Sequence, residues 1–160
     1  MSGLTRLNQL PDDEAIGVLL GCCAAPGWAG RVAHGRPYAA VADLLAAADA
    51  AWAAREPGDL EAAMAGHPRI GERRLSGWSQ AEQSGVGSDA ETARALRDAN
   101  AAYEELFGHV FLICATGRGP AEILAELQRR MANAPDDERE VAAAEIGKIN
   151  AIRLRKLVTP

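Results

Sequence analysis

His67 lies in Gly66-His67-Pro68-Arg69-Ile70-Gly71, where the proline pushes the histidine before it out of the α region and stiffens its backbone. An imidazole held in this way suits proton transfer near neutral pH. The plain alternative is a histidine on a surface loop. Neither His34 nor His109 stands at metal-ligand spacing to it, so no zinc site is indicated. In Ser79-Gln80-Ala81-Glu82-Gln83, Glu82 supplies an acceptor and Gln83 an amide. Ser-x-x-Glu is also the capping box, in which the two side chains satisfy each other's orphan amides. A helix N-terminus leaves amide donors open to a ligand as well, and spacing alone serves either role. Arg153 falls on the apolar face of the last helical segment, two turns after Glu145, while Asn100 falls on the apolar face of another. An unpaired buried guanidinium is costly. Arg153 therefore pairs with an acid, snorkels to water, or faces a pocket that receives an anion. Cys114 reads as an inert thiol in an apolar run or, with His67, as a nucleophile.

The elements that must position these residues follow from proline and glycine punctuation. Pro11 opens a helix with Asp12, Asp13 and Glu14 in its first turn and Ile16, Leu19, Leu20 and Cys23 as its apolar stripe, stopping before Pro26. A short helix is expected over 28–33, a longer one over 37–54 with Val41, Leu44, Leu45, Ala48 and Trp52 inward, and another over 58–65. Residues 66–78 lack periodicity and read as a polar surface loop, followed by a Ser79-led turn. Asp89 caps a helix to Phe107, on which Ala93, Leu96, Asn100, Tyr103 and Phe107 share a face. The run 111–115 reads as buried extended chain, too isolated between helices to make a sheet. Gly119-Pro120 opens a helix with Ile123, Leu124, Leu127 and Met131 inward, and Pro135 opens a long one to about Leu157. There Ile146, Ile149, Arg153 and Leu157 form the stripe expected to face the core.

About a fifth of the 160 residues are alanine, and aromatics make up only 4%. Alanine loses no side-chain entropy in a helix, so the expectation is an all-α chain of about seven to eight helices in one compact domain spanning 1–160. A net charge of -5 without a clustered basic helix argues against nucleic acid. No apolar stretch approaches a membrane span. Met1-Ser2-Gly3-Leu4 lacks a basic region before an apolar run, and the chain ends Val158-Thr159-Pro160. Cys22, Cys23 and Cys114 form neither a CxxC nor an even set, which fits a reducing cytoplasm.

Taken in order, the motifs resemble the OHCU decarboxylases, which act on 2-oxo-4-hydroxy-4-carboxy-5-ureidoimidazoline (OHCU) after urate oxidation. The resemblance rests on His67-Pro68 with Ile70-Gly71, on Trp78-Ser79-Gln80-Ala81-Glu82-Gln83, and on Asn100-x-x-Tyr103-x-x-x-Phe107-Gly108. It continues through 111–118, Arg130-x-x-Asn133 and Glu145-x-x-Lys148-Ile149-x-x-Ile152-Arg153-Leu154, covering about 7–157. It implies an all-helical homodimer acting on a small ureidoimidazoline without metal or organic cofactor, and decarboxylation to (S)-allantoin. It also implies His67 as acid/base, Glu82 as its assistant, and Arg153 as the active-site arginine. Pro68, Ser79 and Gln83 are then substrate contacts, and backbone around Ile113 and Ala115 binds the ring. Two positions depart from the family pattern. Ile70-Gly71-Glu72 stands where many members have an Ala-Gly-Lys type sequence, and Gly147 stands in the last helix where a larger residue is usual.

Two readings of other classes compete on the residues alone. One is a helical interaction module, in which Arg153, Glu145 and Asn100 knit a polar core. The other is a ureide hydrolase with Cys114 as its nucleophile.

Overall fold

The computed structural model describes residues 1–69 and 90–160, and these contain eight helices and no strand. In chain order they are α1 (Gly3–Gln9), α2 (Asp12–Leu20), α3 (Pro26–His34), α4 (Val41–Ala53), α5 (Pro57–Gly66), α6 (Ala90–Phe107), α7 (Pro120–Arg130) and α8 (Pro135–Val158). Two compact units are resolved, Met1–Gly66 with Ile146–Pro160, and His67–Glu145. The all-α expectation holds.

In the first unit α3 packs against α2, α4 and α5. Pro26 takes the first turn of α3, where a missing N–H costs nothing. This lengthens the helix expected over 28–33. Trp28 is fully buried, and its indole Nε1 donates to the Ala48 carbonyl at 3.1 Å, so the largest side chain of this core leaves no polar atom unsatisfied. Helix α4 starts at Val41 rather than Pro37. The Tyr38 backbone is already bound on both sides by Asn8, whose Oδ1 accepts from the Tyr38 N–H at 2.9 Å and whose Nδ2 donates to the Tyr38 carbonyl at 2.8 Å. Helix α1 lies where no element was expected, and Ser2 caps it by accepting from the Thr5 amide at 3.1 Å. The Arg36 guanidinium closes this end, donating to the carbonyls of Leu7 (2.6 Å), Leu10 (2.7 Å) and Ala33 (2.7 Å) and to Asp12 (2.7 Å).

Helix α8 carries acids in its first turn and Arg155 and Lys156 in its last, as the helix dipole favours. Its buried stripe in this unit is Ile146, Asn150, Leu154 and Val158, at i, i+4, i+8 and i+12. Ile149, Arg153 and Leu157 flank that stripe and are half-buried, which corrects the register expected from the sequence. The helix runs unbroken through Gly147. A Cβ there would sit 3.3 Å from Trp52 Cδ1, so the indole occupies the space that a larger residue would claim.

In the second unit α6 packs on α7. Tyr103, Phe111, Ile113, Ile123 and Leu127 form its core, with Leu96, Phe107 and Met131 packed against them. Residues 111–115 belong to neither helix nor strand, and Phe111, Leu112 and Ile113 are buried. The loop expected over 66–78 loses Gly66 to α5, and its part 70–78, the Ser79 turn and the Asp89 cap lie outside the described residues.

Asp59 makes the most concentrated polar anchor of α5. It is 6% exposed and accepts from the Gly27 amide and the Glu56 amide, each at 3.0 Å. A Cβ on Gly27 would lie 2.6 Å from Asp59 Oδ2, so glycine is what lets the carboxylate reach that backbone. Replacing Asp59 by alanine leaves two amides without their acceptor and is expected to cost about 2–3 kcal/mol, with Asp59→Asn losing roughly half as much. Urea unfolding should show the lowered midpoint at an unchanged slope.

Candidate active site

His67 follows the last residue of α5 and is only 8% exposed. Gly66 precedes it because a Cβ at that position would lie 2.7 Å from the Ala24 Cβ. On the other side Pro68 restricts the histidine backbone, and Arg69 grips Glu104 of α6 through Nε (2.5 Å) and Nη2 (2.8 Å). A two-pronged ion pair two residues past the imidazole limits the excursions of the segment that carries it. The surface-loop alternative does not describe His67, which is buried.

Arg153 sits in the first unit, half-buried on α8, where its Nη1 donates to the Cys22 carbonyl at 2.9 Å. That carbonyl lies just past the C-terminus of α2, where unpaired carbonyls concentrate partial negative charge. Burial pushes the Cys22 thiol up from its ordinary value, and the Arg153 guanidinium partly offsets the rise. Cys23 is also raised by burial, against the opposing effects of the Ala25 backbone and the Asn150 side chain. Asn150, one turn before Arg153, is 2% exposed, and apart from the Cys23 thiol its carboxamide has no hydrogen-bond partner among the described residues. The sequence reading passed over it, although its spacing from Ile146 was a usable signal.

Ile113 belongs to the core of the second unit, and Ala115 packs against the same cluster. Among the described residues no hydrogen bond reaches the backbone of Ile113 or Cys114, while the Ala115 carbonyl accepts from the Arg118 amide at 3.0 Å. Buried backbone without partners is uncommon. Cys114 is half-buried and unbridged. Asn100, also buried, donates from Nδ2 to the Leu96 carbonyl at 3.0 Å, and its Oδ1 has no partner among the described residues. Ser79, Glu82 and Gln83 fall outside the described residues. The structure therefore joins Ile113 and Ala115 in one cluster, puts His67 and Pro68 in the same unit, and gives Arg153 its surroundings in the other. Among the described residues no three His, Cys, Asp or Glu side chains are grouped as metal ligands, and no helix is long and apolar enough to cross a membrane.

Comparison with known proteins assigns this helical architecture to the carboxy-lyases. A family model described as OHCU decarboxylase matches residues 8–155, and the chain belongs to that family. It is 33% identical to the 2-oxo-4-hydroxy-4-carboxy-5-ureidoimidazoline decarboxylase of Amia calva, over 97% of this chain and 94% of that one. It is 32% identical to the Mus musculus protein of the same name, over 77% and 74% of the two chains. The Arabidopsis thaliana uric acid degradation bifunctional protein is 31% identical across 85% of this chain, which spans 45% of the plant protein. Among solved structures, an OHCU decarboxylase crystallised in the presence of (S)-allantoin superposes with a TM-score of 0.77 at 30% identity, covering 93% of this chain and 99% of that one. An (S)-allantoin synthase at 21% identity shares the fold, with a TM-score of 0.73.

The three thiols should separate by reactivity. Cys114 is expected to take iodoacetamide first, with Cys22 and Cys23 protected until urea opens the fold, as peptide mass mapping would show. Because the two buried thiols hold their protons more tightly when folded, the stability they contribute is whole below the ordinary thiol value of 9.0 and is lost as pH rises beyond it. A urea midpoint that falls from pH 8.5 to 10 would report that loss.

Proposed function

We propose that this protein decarboxylates OHCU to (S)-allantoin in urate degradation, with the whole of 1–160 working as one decarboxylase domain. The observation that carries the reading is the family likeness, which runs through nearly the full length of both this chain and its Amia calva relative. A buried histidine held between Gly66, Pro68 and the Arg69–Glu104 pair supports it further.

The chemistry asks little of a cofactor. When the bond from the ring carbon to the carboxylate breaks, carbon dioxide leaves and the electron pair is taken up by the neighbouring imine, so the substrate is its own electron sink. The protein orients the carboxylate, stabilises the developing negative charge and delivers one proton to one face of the ring. His67 handles the proton, and Glu82 assists it and holds the ureido or hydroxyl group. Arg153 and the amide region at Ser79 stabilise negative charge, while Pro68 and Gln83 contact the substrate. The open backbone around Ile113 and Ala115 reads the ring edge. Protonation by one fixed group gives a single enantiomer. The active form is a homodimer in the cytoplasm, a compartment that suits three unbridged cysteines.

Circular dichroism of freshly generated OHCU tests the reading, because the product is chiral. Wild type is expected to accelerate the (S)-allantoin signal well beyond the uncatalysed decay. His67→Ala and Glu82→Ala, folded as judged by far-UV spectra, should each lose about 10²–10⁴-fold in kcat/KM, the usual contribution of a positioned acid or base. Cys114→Ala should keep most of its turnover. A wild-type trace matching the uncatalysed decay would sink the proposal, and loss of turnover in Cys114→Ala would favour a thiol nucleophile instead.

A further inference from the structure

Arg130 in the second unit has no exposure to water, and neither has its partner Glu138. Its Nε and Nη2 both donate to Glu138 Oε1, at 2.8 and 2.5 Å. The Tyr103 hydroxyl donates to the same oxygen, and Asn133 Nδ2 donates to Oε2 at 3.0 Å. The remaining arm of the guanidinium, Nη1, donates to the Leu112 carbonyl at 2.7 Å, and Arg130 Cζ stands 4.5 Å from the centroid of the Phe111 ring. One end of the cluster is thus anchored on α6 and α8, and the other grips the first two residues of the 111–115 segment.

That grip has a directional consequence. In a planar trans peptide the carbonyl of one residue and the N–H of the next point to opposite sides. Holding the Leu112 carbonyl against Arg130 therefore aims the Ile113 N–H away from the guanidinium, and that amide has no partner among the described residues. An apolar cluster of similar volume could fill this core at comparable stability, because desolvating two charges offsets most of their attraction. What hydrocarbon could not do is fix the rotation of a single peptide plane.

We propose that Arg130, held in place by Glu138, is a positioning residue for the reaction: by clamping the Leu112 carbonyl it presents the Ile113 amide to the substrate ring. The proposal rests on the decarboxylase reading above. Arg130 touches no reacting atom. Its replacement should weaken ground state and transition state binding together, raising KM while sparing kcat.

The test uses the full chain, with wild type, Arg130→Lys and Asn133→Ala assayed at least 20 °C below their melting midpoints. Lysine keeps the charge but is a single point donor that cannot serve Glu138 and the Leu112 carbonyl together. KM for OHCU and the calorimetric Kd for (S)-allantoin are expected to rise in parallel by about tenfold in Arg130→Lys, with kcat within about threefold. Asn133→Ala, which withdraws one donor from Glu138 at a half-buried position, should raise both by about threefold and decides the matter should the lysine variant fail to fold. Folded variants with lowered melting midpoints but unchanged KM and Kd would show a purely structural pair and overturn the proposal. Absence of turnover in wild type would instead strike the decarboxylase reading, so the two failures are told apart by the wild-type arm.

Discussion

An ion pair with no access to water constrains everything around it, and in the second unit that pair is Arg130 and Glu138. Taking a guanidinium and a carboxylate out of water costs several kcal/mol for each, and their attraction offsets this only if the remaining donors and acceptors are also satisfied. Glu138 meets the condition with Tyr103 and Asn133, and Arg130 meets it with the Leu112 carbonyl and the face of Phe111. Removing either charge would leave the other buried alone. The cluster thereby fixes three otherwise separate things: the direction of α8 as it leaves Pro135, the seating of Tyr103 on α6, and the path of the chain from Phe111 to Leu112. Burial and the Glu138 carboxylate push the Tyr103 hydroxyl far above the ordinary tyrosine range, so it serves as a permanent donor.

The first unit solves its polar problems differently. Arg36 and Asp59 act as ligands for backbone, Arg36 collecting carbonyls of Leu7, Leu10 and Ala33, and Asp59 collecting amides of Gly27 and Glu56. Short helices leave many unpaired end groups for each residue they bury, and alanine-rich packing supplies little apolar area to offset them. Charged side chains that bind several end groups at once answer that shortage. Arg153 continues the pattern at the end of α2 through the Cys22 carbonyl. Its half-buried position on the flank of the α8 stripe is where a guanidinium can reach a helix-end carbonyl.

The groups proposed to act on the substrate are placed by local backbone geometry. His67 is set by a glycine that avoids Ala24, a proline behind it and a bidentate ion pair beyond. The segment around Ile113 is set by one guanidinium from the side opposite its open amide. Gly66, the Arg69–Glu104 pair and Arg130 are not among the proposed substrate contacts, whereas Pro68 is one, and all of them restrict the conformations available to groups proposed to be ligands. Restricting them before binding lowers the entropy lost when a small, polar and short-lived substrate is held.

The amino-acid sequence by itself determined the helical class, because alanine content, helix-period apolar spacing and prolines at first turns act locally and agree with one another. It also marked α6, α7 and α8 to within a residue or two, the apolar run 111–115 between α6 and α7, and the ordered motifs that carry the family likeness. Three things lay beyond it. The start of α4 was decided by Asn8, some thirty residues earlier in the chain, capturing the Tyr38 backbone. The face that α8 buries was decided by its neighbours: a 3.6-residue period allows adjacent stripes, and packing chose the one through Asn150 while leaving Arg153 on its flank. Glu138, one acid among three in the first turn of α8, carries no mark in the sequence and became the centre of a buried network only when Tyr103 and Arg130 were brought to it. Propensity and periodicity are properties of neighbours along the chain, whereas charge pairing and peptide orientation depend on neighbours in space.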